Sequence, residues 1–177
     1  MSNRTFVKKC DGISFYRYKP SLIRLYDKCY NSSNRPDYFN RIVHHIRMSI
    51  ELITVGYEVF YMYDDNMQIL GHLVVSRGGG RVEVSTIDDI VIGPIWVCPS
   101  QRGKGIGTKG IDVVLNSLGI KYRNAYEFIA KDNIASIRSV EKNNYQLIGN
   151  AKEYGLFKKL KINPNGEWLL YKYVKKN

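Results

Sequence analysis

The chemistry-bearing residues of this chain are concentrated in residues 97–110, VCPSQRGKGIGTKG. Arg102, Gly103, Lys104, Gly105, Ile106, Gly107 and Thr108 interleave cations with glycines. They stand just ahead of a segment of helical periodicity, in which Ile111, Val114, Leu115 and Leu118 share one face. Glycine lets a backbone turn tightly and approach a ligand closely, because no side chain stands in the way. The N–H groups that open a helix have no partner inside it, and the helix dipole favours an anion there. With Arg102 and Lys104 adding positive charge, these features describe a pyrophosphate cradle. The spacing is neither the G-x-G-x-x-G of dinucleotide folds nor the G-x-x-x-x-G-K-[ST] of a P-loop. Taken by itself, the loop could equally be a basic glycine turn between a strand and a helix.

A second segment, residues 133–145, NIASIRSVEKNNY, narrows the choice. The first loop resembles the [RQ]-x-x-G-x-[GA] pattern of the GNAT superfamily of acyl-CoA-dependent N-acetyltransferases, with Arg102, Gly105 and Gly107 on its fixed positions. The second segment resembles that family's N-x-x-[SA]-I-x-x-x-E-K-x-G-F signature, through Asn133, Ser136, Ile137, Glu141 and Lys142. Two motifs in the right order, one helix and one strand apart, are far more specific than either alone. The resemblance spans residues 58–145. It implies an α/β fold with a mixed, mostly antiparallel central sheet, flanked by helices and splayed between its fourth and fifth strands. It also implies acetyl-CoA as cosubstrate, with no metal. Backbone at Ile95, Trp96 and Val97 would hold the pantetheine arm and backbone from Gly103 through Thr108 the pyrophosphate, with Arg102 beside it. Asn133 and Ser136 would lie along the arm, and Asn133 is also suited to cap its helix.

The elements that must position these residues can be read from periodicity and turn chemistry. Residues 6–18 read as a first strand, with Asp11-Gly12 offering a hairpin turn. A helix is expected after Pro20, with Leu22, Leu25, Tyr26 and Cys29 on one face. A second follows Pro36, strongly periodic through Phe39, Ile42, Val43, Ile46, Ile50 and Ile53. Strands are expected over residues 58–63 and 68–76, joined by a turn at Asp64-Asp65-Asn66. Gly78-Gly79-Gly80 reads as a hairpin turn into a long strand from about Arg81 to Val97. Residues 126–130 form the next strand, and residues 146–162 and 167–174 the last ones, around an Asn163-Pro164-Asn165-Gly166 turn. No repeat, linker or low-complexity tract divides the 177 residues, so a single acyltransferase domain over residues 1–177 is expected.

Composition excludes several classes. A 44% hydrophobic content argues against disorder, and no apolar run approaches the length of a membrane span. The basic N-terminus is not followed by an apolar secretory segment. Cys10, Cys29 and Cys98 are odd in number and far apart, which suits reduced thiols in a cytoplasmic protein. The net charge of +11 is uneven: residues 1–97 carry 12 lysines and arginines against 10 acidic residues, residues 98–177 carry 15 against 6. Such a field would draw in anionic CoA and an anionic acceptor. A basic face with 14 tyrosines could also hold RNA, but no recognition signature supports that reading, and nucleic acid is set aside as a partner.

Acetyl transfer needs a neutral amine and stabilisation of the developing oxyanion. The tyrosine that many family members use to protonate the departing thiolate is Val140 here, and the fifth-strand glutamate of some members aligns with Phe128. Asp88 and Asp89 rank first as catalytic carboxylates, although adjacent strand residues face opposite ways and only one could easily enter the cleft. His72, Glu127 and Tyr145 are further candidates, and His44-His45 lacks the neighbours of a metal site. The expected reaction is N-acetylation of a primary amine on a small anionic molecule such as a nucleotide-linked amino sugar. Acetylation of protein N-termini or lysines, or a CoA-binding regulatory module without activity, are the alternatives.

Overall fold

The computed structural model describes residues 4–27, 38–117, 119–155 and 158–175. Nine strands form one sheet: β1 (Arg4–Cys10), β2 (Ile13–Tyr18), β3 (Tyr57–Tyr63), β4 (Ile69–Arg77), β5 (Ile90–Val97), β6 (Asn124–Ala130), β7 (Gln146–Tyr154), β8 (Lys159–Ile162) and β9 (Trp168–Val174). Among the described residues, three α-helices cover it: α1 (Tyr38–Thr54), α2 (Ile106–Ser117) and α3 (Ile134–Lys142). The strand order is β1-β2-β3-β4-β5-β6-β9-β7-β8. Every neighbouring pair is antiparallel except β5 and β6.

β3 and β4 read almost without polar interruption, YEVFYMY and ILGHLVVSR, because both of their faces are covered. On one face Phe60, Leu73, Val75, Ile90 and Ile92 pack with Ile111, Val114 and Leu115 of α2 and Val140 of α3. On the other, Tyr57, Val59, Tyr61, Tyr63 and Val74 pack with Met48 of α1. The helix α2 sits close upon the sheet at Gly110, where a Cβ would stand 2.9 Å from Leu73 Cδ2 and 3.0 Å from Met62 Sδ.

The turns follow their sequence signals. Asp11 and Gly12 both take positive φ, as the tight hairpin between β1 and β2 requires. Asp64 Oδ1 accepts from the amides of Asn66 and Gln68, closing the β3–β4 turn.

Three expectations are corrected. Residues 21–27 are not helical: Ser21 and Arg24 form an isolated bridge, Leu22 and Ile23 are exposed, and only Leu25 of that segment's apolar residues is fully buried. Cys29, assigned to the same face, lies outside the described residues, as does Leu118 of the α2 face. The helix after Pro36 does form, as α1, but it turns its isoleucines outward: Ile46 is 54% and Ile53 68% exposed, while His44 and Met48 are buried. The face set against the cleft is the polar one, because α1 covers charged groups there as well as the β3–β4 core. Finally, the strand expected from Arg81 begins only at Ile90. Residues 78–89 form a looped connection instead of a tight hairpin, pinned by the Gly78 amide donating to the Asp89 carbonyl and by Val82 bridging Leu160.

Candidate active site

β5 and β6 pair only at Ile90↔Ala125 and Val91↔Tyr126, then part. They count as fourth and fifth when the β1–β2 hairpin is taken as one strand, so the splay stands where it was expected. On its other edge β5 stays paired with β4, through Ile95 to Leu73, Trp96 to His72 and Val97 to Gly71. Gly93 and Pro94 together oppose Val74 alone, a bulge that bends β5 at the point of parting. Beyond Val91 the β6-facing edge of β5 has no strand partner, and a cleft of about 560 Å³ opens there.

One side of this cleft is built by the two motifs. Ile95, Ala130, Asn133 and Ser136 line it. Asn133 caps α3, its Oδ1 accepting from the Ser136 amide at 3.2 Å, a contact of the kind that stabilises a helix by about 1 kcal/mol. Asn144, at the glycine position of the second pattern, takes φ +61°, the left-handed conformation that asparagine tolerates better than most residues. The start of α2 is tied to α3: Thr108 Oγ1 donates to Ser139 Oγ at 3.1 Å, and Asn143 Nδ2 donates to the carbonyls of Thr108 and Ser139. The two motifs therefore meet in space.

At the end of β5 the chain makes a short 3-10 turn, Pro99–Gln101, and enters the cationic loop. Gly103 and Gly105 sit at φ +78° and +76°, where a side chain would be strained, and no heavy atom lies within 4 Å of the place a Cβ would take. Gly107 differs: a Cβ there would meet Val97 and Ile95 only at ordinary contact distance. Arg102 and Lys104 are exposed; Arg102 Nε donates to the Val97 carbonyl and Lys104 Nζ to Gln101 Oε1. The opening amides of α2 at Ile106, Gly107 and Thr108 have no helical carbonyl to bond. An open, cationic, amide-lined loop beside an unpaired strand edge fits a pyrophosphate joined to an extended amide-bearing arm. Trp96 turns to the α1 face, its ring stacked on His72 at 5.4 Å.

The α1 face of the cleft is lined by different residues: His44 and Arg47 of α1, Arg81, Phe128 of β6, Glu153 of β7 and Trp168 of β9. His44 is buried; its Nε2 lies 2.6 Å from the Tyr26 hydroxyl and its ring stacks on Tyr26, while Nδ1 has no hydrogen-bond partner among the described residues. Periodicity could not mark this histidine, because its partners come from distant segments. Glu127 of β6 enters from the opposite face, packed with the α2–α3 core. It is fully buried, Oε1 has no partner, and burial pushes its carboxyl well above the usual carboxylate range. Beside it, burial and then the Glu127 charge raise the Tyr145 phenol.

The structure gives Asp88 and Asp89 other surroundings than those expected. Both precede β5, before the strands part, and neither lines the cleft. Asp89 accepts from the amide and hydroxyl of Thr86 and from the amide and Nδ2 of Asn124. Burial alone would raise its pKa, but these four donors outweigh it and hold the carboxyl below its usual value. Asp88 is 68% exposed, with Arg123 at 3.7 Å. His72 is buried between Tyr61 and Trp96.

The acetyltransferase (GNAT) family description matches residues 19–145, and the chain belongs to that family. It is accordingly an N-acetyltransferase by class. No curated protein matches the sequence. Among solved structures, a spermidine N-acetyltransferase chimera from Vibrio cholerae and the human enzyme is similar at TM-score 0.58 and 13% identity, covering 90% of this chain and 95% of that one. The Campylobacter jejuni N-acetyltransferase PseH is similar at TM-score 0.53 and 13% identity, with 93% and 99% covered. The Vibrio cholerae spermidine N-acetyltransferase in complex with CoA and spermine is similar at TM-score 0.50 and 16% identity, with 78% and 76% covered. At these identities the similarity shows the fold alone. Among the described residues there is no group of side chains that could hold a metal ion, and no helix long and apolar enough to cross a membrane.

Proposed function

We propose that this chain, acting as one domain over residues 1–177, transfers the acetyl group of acetyl-CoA to the primary amine of a small anionic molecule, such as a nucleotide-linked amino sugar. The observation that carries this reading is the parting of β5 from β6 with a different chemistry on each side: an amide-lined anion cradle toward α2, and His44 toward α1. Bound acetyl-CoA supplies an activated thioester. Gly103 to Thr108 hold its pyrophosphate by backbone, Arg102 and Lys104 add charge, and Ile95, Trp96 and Val97 offer their edge to the arm alongside Asn133 and Ser136. An N–H on that edge donates to the carbonyl oxygen, where charge develops.

In place of Asp88 or Asp89, we assign the amine's proton to Nδ1 of His44, the buried imidazole nitrogen without a partner. Its other nitrogen, held by Tyr26, fixes the ring. The departing thiolate takes a proton from Glu127, whose carboxyl burial raises well above the usual range and so biases toward the protonated form, and which stands in for the donor that Val140 cannot supply. A thiolate leaves readily near neutral pH, since a free thiol has a pKa of about 8.5, so this second role contributes less than the first. The excess of cations in residues 98–177 supports an anionic acceptor. The free thiols of Cys10 and Cys98 are consistent with action in the cytosol.

Release of free thiol from acetyl-CoA across a panel of amines, with mass spectrometry of the products, tests this reading. We expect acetylation of a small amine at a rate that rises with pH as the amine loses its proton. Acetylation confined to protein N-termini or lysines would replace the small acceptor. CoA bound tightly with no amine acetylated would leave only a binding module.

A further inference from the structure

The α1 face of the cleft holds more positive charge than its own carboxylates answer. Arg81 donates to Glu153 Oε1 at 2.5 Å, and its guanidinium lies 4.2 Å from the centre of the Phe128 ring. Its Nε is buried without a partner. Lys158 lies 3.3 Å from the other oxygen of the same carboxylate. Arg47, one turn along α1 from His44, also lines the cleft; its Nε is buried without a partner, and it makes no ion pair among the described residues. Two cations, Arg81 and Lys158, thus share Glu153, and Arg47 pairs with no carboxylate among the described residues. Glu51 lies further in, beside a recess of only about 10 Å³ that Arg47 and Arg81 also line. Burial, and next the charge of Arg47, lower the Arg81 pKa against the raising effects of Glu153 and Glu51, so the two guanidiniums feel each other. Guanidinium cannot relieve such crowding by losing its proton. An oxyanion between the two would satisfy both idle donors and offset the repulsion, because charge-assisted bonds from arginine to carboxylate or phosphate are the strong ones.

We propose that Arg47 and Arg81 form the acceptor's anion-recognition subsite, so that the molecule acetylated carries a carboxylate or phosphate and presents its amine toward His44. This rests on the acetyltransferase reading above and names the group by which that site chooses its substrate. It also gives a reason for the outward isoleucines of α1: the helix is rotated so that His44 and Arg47 reach the cleft. A polyamine, with cations along its whole length, would be repelled here.

Two measurements test the subsite. The first is calorimetric titration of inorganic phosphate, and separately of acetate, into protein saturated with CoA so that the pyrophosphate cradle is filled. We expect phosphate or acetate to bind the wild type and affinity to fall at least about tenfold in Arg47→Gln, with CoA affinity unchanged. Whichever anion binds identifies the preferred group. The second compares kcat and KM for amines with and without the oxyanion: glucosamine 6-phosphate against glucosamine, an amino acid against its amide, and spermidine. Arg47→Gln should raise KM for the anionic member by at least about tenfold while kcat is largely kept, and Arg81→Lys should do the same more weakly. Arg81 also anchors Glu153, so thermal melting is followed for each variant, and Arg47→Gln carries the conclusion if Arg81→Lys unfolds.

No binding of either anion, or binding equal in wild type and Arg47→Gln, overturns the subsite. So does equal turnover of charged and uncharged partners. In those cases acetylation of uncharged amines would leave the acetyltransferase reading standing. Loss of all turnover with CoA still bound would instead strike at that reading, and anion binding would then judge the subsite alone.

Discussion

The two sides of the cleft are built in different ways. Toward α2, the groups proposed to hold CoA come from two contiguous stretches, residues 95–108 and 133–136, and most of them are backbone atoms positioned by glycines and helix ends. Toward α1, they are side chains from five separate places: His44, Arg47, Arg81, Phe128, Glu153 and Trp168. A site made of backbone requires residues of particular conformation next to one another, and so leaves a pattern in the chain. A site made of side chains requires only that the fold bring them together. The first kind can serve one cosubstrate across many proteins, whereas the second can change acceptor by exchanging single residues.

This contrast can be broken most severely on the α2 side. Placing valine at Gly103 and Gly105 together fills the open cradle and forces β-branched residues into positive φ. Calorimetry should show CoA affinity reduced by about a hundredfold or more, with the fold largely retained because nothing packs within 4 Å of either position. On the α1 side, His44→Gln should lower kcat by roughly a hundred- to ten-thousandfold, while CoA affinity stays as it was. Equal losses of CoA affinity in the two variants would erase the distinction between the sides.

Glu127 gives a prediction with two opposite signs. Its folded pKa is raised above the unfolded value, so its contribution to stability is fully present below the unfolded pKa of about 4.3 and is lost as pH rises toward the folded value. Removing the titration with Glu127→Gln should therefore raise the melting temperature at pH 7 relative to wild type. The same change should slow turnover by about tenfold, less than loss of His44. Unaltered turnover would remove Glu127 from the chemistry and leave thiolate protonation to water.

Asp89 behaves in the reverse sense. Its folded pKa is depressed, so it contributes stability above the unfolded pKa of about 3.9, lost as pH falls through the folded value. Asp89→Asn should cost about 1–3 kcal/mol in denaturant melts at pH 7, and the difference should shrink in acid. Asp88→Asn, exposed and only loosely paired with Arg123, should change stability by less than about 0.5 kcal/mol and leave turnover alone.

The fold was largely legible in the sequence where local chemistry and tertiary packing agree. The Asp11-Gly12 hairpin, β3, β4, α2 and α3 carry their own periodicity, turns and caps. The residues proposed for the α2 side of the site stand out in the chain for the same reason. Elsewhere the two levels diverge. Leu22, Leu25 and Tyr26 have helical spacing, yet residues 21–27 turn instead, and the Tyr18 hydroxyl bonds the Arg24 carbonyl. The isoleucine stripe of α1 announced a helix but pointed to the wrong inner face, because His44, Arg47 and Met48 are what the sheet and cleft receive. Asp88 and Asp89 were placed on a strand because residues 81–97 are rich in β-formers. The hydrogen bonds of Asp89 to Thr86 and Asn124 delay the strand to Ile90. Glu127 was visible as a carboxyl, but the role proposed for it depends on burial, which neighbouring residues in the chain do not disclose.

The central claim is that CoA is held on one side of the β5–β6 parting while the amine is deprotonated on the other. It is tested most directly by the pH dependence of kcat/KM for thiol release from acetyl-CoA, with wild type and His44→Gln side by side and CoA affinity measured for both. The expected result is a wild-type rate that climbs with pH, a His44→Gln rate depressed by at least about a hundredfold at pH 7, and CoA affinities that coincide. Superimposable profiles for the two proteins would contradict the account.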